Sequence, residues 1–137
     1  MAVACPGSQD AGFYANPDCR LIIALFLAER SIYVFPCWWI EDGHCACRKG
    51  SACPRPRSGK HPVHVGWQAE STADPATIRA WFIRYPAMNV GVDLEKSRLI
   101  VIDRDNRADG DGWEALRNLE RKLGRPLPRT WLARPAD

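Results

Sequence analysis

Apolar positions fall into a few runs divided by Pro, Gly and charged stretches, and the spacing within each run predicts its backbone. From Cys19 to Arg30 strong helix formers dominate. Ile22, Leu25, Phe26 and Glu29 give that segment a mostly apolar face, and Asp18 is placed to cap it. Ser31 to Trp39 is rich in β-branched and aromatic residues and predicts a first strand, with Pro36 at an edge or irregular end and Cys37 packed as a small apolar residue. An interrupted, loop-like segment follows. Asp74-Pro75 then supplies a cap and a proline at the first helical position, and Ile78, Trp81, Phe82 and Tyr85 recur at helical spacing until Pro86 stops the helix. Asn89 to Leu94 and Arg98 to Asp103 read as two strands joined by Glu95-Lys96-Ser97, a link of hairpin length. Asp111 with Glu114 opens a third helix bearing Trp113, Leu116, Leu119 and Leu123. Gly124 and Pro126 close it, and Pro128 to Ala133 begins another strand. This order predicts a layered α+β domain.

Residues 1–17 mix Gly, Pro, Ser and Asn without periodicity and predict a flexible leader in which Cys5 has no role. Residues 18–137 are then one domain, and the full chain's 137 residues and apolar fraction of 46% suit a soluble globular protein with a real core. No charged start followed by an apolar stretch opens the sequence, so no signal peptide is expected and a cytoplasmic location is. The longest apolar run, Leu21 to Ala28, is far below the roughly 20 residues that span a bilayer. A formal charge of +3 does not by itself imply a nucleic-acid partner. Its distribution matters more: Arg48, Lys49, Arg55, Arg57 and Lys60 occur without an intervening acid, whereas acids gather from Asp103 to Glu120.

The apolar run Leu99-Ile100-Val101-Ile102 ends in Asp103-Arg104-Asp105. If it is a strand, alternation puts both carboxylates on one face, roughly 6.5 Å apart along the backbone. Two carboxylates so placed suit a divalent cation such as magnesium, which takes oxygen ligands and keeps waters for phosphate oxygens. A strand running into a polar turn explains the same residues without chemistry.

Cys45, Cys47, Cys53 and His61 supply three thiols and an imidazole within a polar, Pro-rich loop at 44–64. Without an export signal, cysteines favour thiols or metal ligands over a disulfide framework. Three Cys and one His form a tetrahedral zinc set that would order a loop unable to build its own core, with His44 and His64 as alternative ligands. With four protein ligands no position is left for water, so the zinc is expected to be structural.

The succession Tyr33-Val34-Phe35-Pro36, Gly59-Lys60-His61-Pro62, Gly66-Trp67, Asp74-Pro75 to Trp81, Asn89-Val90-Gly91-Val92 and Leu99 to Asp105 resembles the N-terminal part of bifunctional DNA primase/polymerase domains, in the archaeo-eukaryotic primase superfamily. The resemblance runs in order from about Leu21 to Leu132. It implies a primase/polymerase-like sheet with packed helices and a zinc-binding loop insertion. It also implies nucleotidyl transfer in the replication of a plasmid, phage or mobile element. Asp103 and Asp105 would be the magnesium or manganese ligands, with Lys60 and Arg57 on phosphate. Partners would be single-stranded template DNA, nucleoside triphosphates and a helicase, with no membrane. The pattern departs after Thr130 to Ala133, where family members continue into a Ser/Gly-rich turn with a phosphate-holding histidine and later a third acid. No histidine follows Asp105 here. The expectation is a domain lacking its C-terminal half, weakly active or inactive alone. The alternative is a zinc-stabilised, non-catalytic nucleic-acid-binding module whose Trp38, Trp39 or Trp67 stack on bases, although Trp67, Trp81 and Trp113 read better as core.

Overall fold

Helix α1, Pro17–Ala28, begins with a proline, which presets φ and has no N–H to leave unpaired, so Asp18 is the second residue of the helix rather than the one before it. The computed structural model describes residues 17–102, 111–128 and 130. The chain divides into two units, Met1–Leu99 and Ile100–Asp137. α1 ends before the expected Arg30: Ser31 turns into the left-handed region at φ 57° while its N–H still bonds the Ala28 carbonyl. The Ile32 N–H bonds Leu27, which delays strand β1 to Val34–Cys37, shorter than the expected Ser31 to Trp39.

β1 pairs antiparallel with β4, Asn89–Val92, in the register Val34 with Val92, Phe35 with Gly91, Pro36 with Val90 and Cys37 with Asn89. The other side of β1 carries only isolated bridges, to Thr72 and Pro62. Pro36 therefore sits in a strand whose second edge is irregular, where its missing N–H breaks no ladder and its carbonyl accepts from Val63 at 2.9 Å.

Alternation along this pair divides two kinds of neighbour. Val34, Val90 and Val92 turn toward α1 and α3 and share a core with Ala24, Ala28, Ile78, Phe82 and Met88. Phe35 and Cys37 turn the other way, opposite Gly91 and Asn89. The Phe35 ring occupies the space over Gly91 and stacks on Trp67 at 4.1 Å between centroids. Trp67 opens the short helix α2, Trp67–Glu70, and is half-buried against Phe35 on the face of the sheet away from the core it was expected to join. Burial raises the Cys37 thiol to about 11, as befits the apolar packing residue it was expected to be.

Helix α3, Pro75–Arg84, follows the expected pattern: the Asp74 carboxylate accepts from the N–H groups of Ala76 and Thr77, and Ile78 and Phe82 are buried. Trp81 packs beside them.

The expected hairpin from Asn89 to Asp103 is not formed among the described residues. Asp93 is 3% exposed, accepts from the Ser71 hydroxyl at 2.6 Å and the Lys96 N–H at 3.1 Å, and so winds 93–99 into consecutive turns. Arg98 has φ 53°, and the Leu99 N–H bonds the Leu94 carbonyl. Leu99–Ile102, expected as a strand, has no ladder partner among the described residues, and Ile100 is 92% exposed. An apolar run is a strand only where a neighbour takes its N–H and C=O groups.

The hydrogen bond from Ser71 holds the Asp93 carboxyl below its ordinary range, against the opposing effect of burial, with the Lys96 N–H and ammonium adding to it. Its contribution to stability is thus complete above the unfolded value of about 3.9 and is lost as pH falls through the lower folded value. Asp93→Asn is expected to cost about 1.5–3 kcal/mol at neutral pH, the range for hydrogen bonds to a charged group. Urea unfolding from pH 7 to pH 2.5 should show the gap between the two proteins closing on the acid side; a constant gap contradicts the assignment.

In the second unit, α4, Gly112–Leu123, is capped by Asp111 through the Trp113 N–H and ends at Gly124 with φ 65°. Trp113, expected in a core, is 42% exposed. The strand expected at Pro128 to Ala133 is absent at Pro128 and Thr130, and its remainder lies outside the described residues, as do residues 1–16 of the expected leader. Among the described residues no helix is long and apolar enough to cross a membrane.

Candidate metal centre

Asp42 and Gly43 have φ 49° and 78°, the two positive values a tight two-residue hairpin needs, and Asp-Gly is the residue pair that adopts them most readily. The result is a small hairpin of β2, Ile40–Glu41, and β3, His44–Cys45, with Glu41 opposite His44 and Ile40 opposite Cys45. This hairpin delivers Cys45 inward, at 3% exposed. Cys47 follows. A 3-10 turn at Gly50–Ala52, entered from Gly50 at φ 50°, returns Cys53 to the same place. A second 3-10 turn at Arg55–Arg57 leads to Gly59-Lys60-His61.

The ligand atoms of Cys45, Cys47, Cys53 and His61 all lie within 4.8 Å of one another. His61 Nε2 is 3.4 Å from Cys45 Sγ and 3.7 Å from Cys53 Sγ. Zinc bonds of about 2.3 Å to sulfur and 2.0 Å to nitrogen set tetrahedral S···N edges of roughly 3.5 Å, which the His61 distances to Cys45 and Cys53 match, and Cys47 lies close enough to complete a Cys3His set. Of the alternative ligands, His44 is exposed on β3 and His64 pairs with Glu70; neither joins the cluster. Cys37, Cys45, Cys47 and Cys53 are free thiols, whereas Cys19 in α1 is disulfide-bonded.

The electrostatics favour a cation. Burial works to raise the Cys45 thiol, but N–H groups of Gly59 and Cys47, with the His61 and Cys47 side chains, hold it down to about 6. Cys53 is pushed the other way, to about 11, by burial first and then by Cys45 and Cys47. Thiolates crowded this closely ionise together only when positive charge is placed among them.

Gly59 ties the centre to the sheet. Its N–H donates to Cys45 Sγ at 3.3 Å, its carbonyl accepts from Asn89 Nδ2 at 2.9 Å, and its φ of +68° with Ile40 2.9 Å from where a Cβ would stand leaves room for glycine only. Asn89 Nδ2 also donates to the Trp38 carbonyl at 3.1 Å, and Asn89 Oδ1 accepts from Arg20 of α1 at 3.4 Å. The Trp38 N–H bonds the His61 carbonyl, so the last ligand is latched beside β1. Asn89, Gly59 and the Asp42-Gly43 hairpin were not singled out from sequence as site builders. The Asp-Gly pair was the legible signal; the bracket made by Asn89 is long-range and had none.

The five cations of this loop, Arg48, Lys49, Arg55, Arg57 and Lys60, are all exposed, and no ion pair among the described residues uses them. Asp103 and Asp105 lie outside the described residues.

A family model described as bifunctional DNA primase/polymerase, N-terminal, matches residues 24–137. No curated protein and no solved structure matches the chain.

Proposed function

Because the chain belongs to the bifunctional DNA primase/polymerase N-terminal family, we propose that it is a nucleotidyltransferase domain acting on a single-stranded DNA template and nucleoside triphosphates. The observation that carries this reading is the family match over 24–137. Within that span, Gly59-Lys60-His61 and Asn89-Val90-Gly91-Val92, far apart in sequence, are joined by the Asn89 side chain to Gly59. Asp103 and Asp105 are the proposed ligands for magnesium or manganese. When bound, such a cation neutralises phosphate charge and lowers the barrier to attack by a 3′ hydroxyl. The part left to the protein is positioning: the two carboxylates fix the cation, and Lys60 and Arg57 meet phosphate oxygens. Replication of a plasmid, phage or mobile element, alongside a helicase, is the setting this chemistry suits.

The Cys45–Cys47–Cys53–His61 centre is proposed to hold zinc in a structural role, since all four positions of a tetrahedron are taken by protein.

The test of the carboxylate pair is magnesium-dependent binding of a nucleoside triphosphate, followed by calorimetry. Asp103→Asn and Asp105→Asn are each expected to remove the magnesium-dependent part of the affinity, leaving the zinc content at one per chain. Magnesium-dependent binding that survives the double variant rejects the assignment. A second reading, a non-catalytic nucleic-acid-binding module, is favoured by the exposed, unpaired cations of the metal loop. It predicts DNA binding that is steeply salt-dependent and unchanged by Asp103→Asn, with no magnesium-dependent nucleotide binding.

A further inference from the structure

Lys60 stands between two residues that are both held. On one side Gly59 is fixed by a bond to the Cys45 sulfur and another from Asn89. On the other side His61 lies in the ligand cluster and is tied through its carbonyl to Trp38. The Lys60 N–H itself closes the preceding turn on the Arg57 carbonyl at 2.9 Å, so Arg57 and Lys60 share one turn of chain. Both side chains are exposed. Three of the contacts that define this turn end on ligands or on the residue bonded to a ligand sulfur. The backbone under the two cations is therefore held by the ligand cluster together with Asn89 and Trp38 rather than by an apolar core.

We infer that metal occupancy of the Cys45–Cys47–Cys53–His61 centre controls binding of single-stranded nucleic acid, by fixing the turn on which Arg57 and Lys60 meet the phosphate backbone. The inference deepens the reading of the chain as a DNA-acting protein and rests on it. Two observations point to a polynucleotide rather than a lone triphosphate. Five exposed cations, spread from Arg48 to Lys60 over successive turns, offer more positive charge than one triphosphate needs. The half-buried Trp38 ring lies 6.3 Å from the ring of His61, the residue that follows Lys60, and 5.6 Å from Trp39, and an aromatic surface with cations on the same loop is the combination that single-strand binders use for base and backbone. Removing the metal leaves the charges in place but unfixes their backbone, so the contacts must be re-formed at an entropic cost each time the strand binds.

The experiment is fluorescence anisotropy of a labelled oligothymidylate with the full chain, over a series of salt concentrations. Four samples are compared: zinc-loaded, chelator-stripped, and Arg57→Gln/Lys60→Gln in each state. Zinc-loaded wild type should show a slope of log affinity on log salt steeper by about 1.4 than the double variant, about 0.7 for each cation lost from a single-strand complex. Stripping wild type should weaken binding by a comparable factor, and stripping the double variant should weaken it little further. Equal binding by zinc-loaded wild type and the zinc-loaded double variant overturns the inference, and that comparison stands even if the stripped chain unfolds. Unchanged binding after verified zinc removal overturns it as well. Displacement of the oligonucleotide by magnesium-free triphosphate at equal phosphate concentration would assign the cations to the nucleotide and also overturn it. Failure here leaves the magnesium-dependent nucleotide binding through Asp103 intact, so the two readings are separable.

Discussion

Cys45→Ser is expected to abolish stoichiometric zinc binding and to release the segment between His44 and His64 from its fold. Cys45 is the best-anchored ligand, buried at the end of β3, held by the Gly59 N–H and adjacent to His61 Nε2. Serine offers a hard hydroxyl in place of a soft thiolate and leaves the buried Gly59 N–H facing a shorter side chain. Loss of a group that merely orients a ligand typically costs 10–100-fold in metal affinity, so loss of the ligand itself should exceed about 100-fold. The segment contains only a two-residue-per-strand hairpin and two 3-10 turns, and its buried residues include the ligands Cys45 and Cys53. Without metal there is little to repay the ordering of its backbone. Zinc content by elemental analysis reads the first effect. Trypsin reads the second, because Arg48, Lys49, Arg57 and Lys60 are cleavage sites that a loosened loop presents, Arg55 being shielded by the following Pro56. Cys37→Ala, a buried thiol outside the cluster, should keep both zinc and protease resistance. One zinc per chain in Cys45→Ser, with unchanged digestion, would sink the four-ligand assignment.

The second large effect is expected at Gly91→Ala. A methyl group there would stand 2.4 Å from two atoms of the Phe35 ring and 3.0 Å from Cys37 Sγ. Neither neighbour is the free end of a flexible chain: Phe35 is 7% exposed and stacked on Trp67, and Cys37 is 6% exposed. The ring must leave its place over β4 or the β1–β4 pair must open. Forcing a methyl into such packing costs about 1–3 kcal/mol. For a domain of 60–100 residues that is a fall in Tm of about 4–8 °C for each kcal/mol. Thermal unfolding followed by tryptophan fluorescence reads both the shift and the Phe35–Trp67 contact. Phe35→Leu combined with Gly91→Ala should recover part of the loss, because the smaller side chain vacates the space. A Gly91→Ala protein with unaltered Tm would show that the ring does not cross that glycine.

Local rules made much of this chain legible. The Asp74-Pro75 cap and the Ile78 to Tyr85 spacing predict α3, and Asp111 with Gly124 predicts α4, because caps and apolar stripes act within one or two turns. The Cys45, Cys47, Cys53 and His61 set was equally readable, since those residue types within one short polar loop have few other uses. The choice of His61 over His44 and His64 agrees with the structure for a reason the spacing does not contain: Glu70 pairs with His64, and β3 directs His44 outward.

The misreadings share one cause. Leu99–Ile102 has the composition of a strand, yet among the described residues it has no partner, and a buried Asp93 bound to Ser71 winds the intended hairpin into turns. Trp113 has the spacing of a core residue and is 42% exposed. A strand or a buried face is a statement about two segments, whereas periodicity describes one.

By itself, then, the sequence determined the three longer helices, the identity of the clustered Cys and His side chains and the family, each of which depends on neighbours in the chain or on ordered motifs. Tertiary structure alone decided that Asn89 clamps the Gly59 turn, that Gly91 makes room for Phe35, and that the two faces of β4 serve the core and the metal loop separately. Those outcomes depend on which distant residues share a few ångströms of space, and no local propensity encodes that.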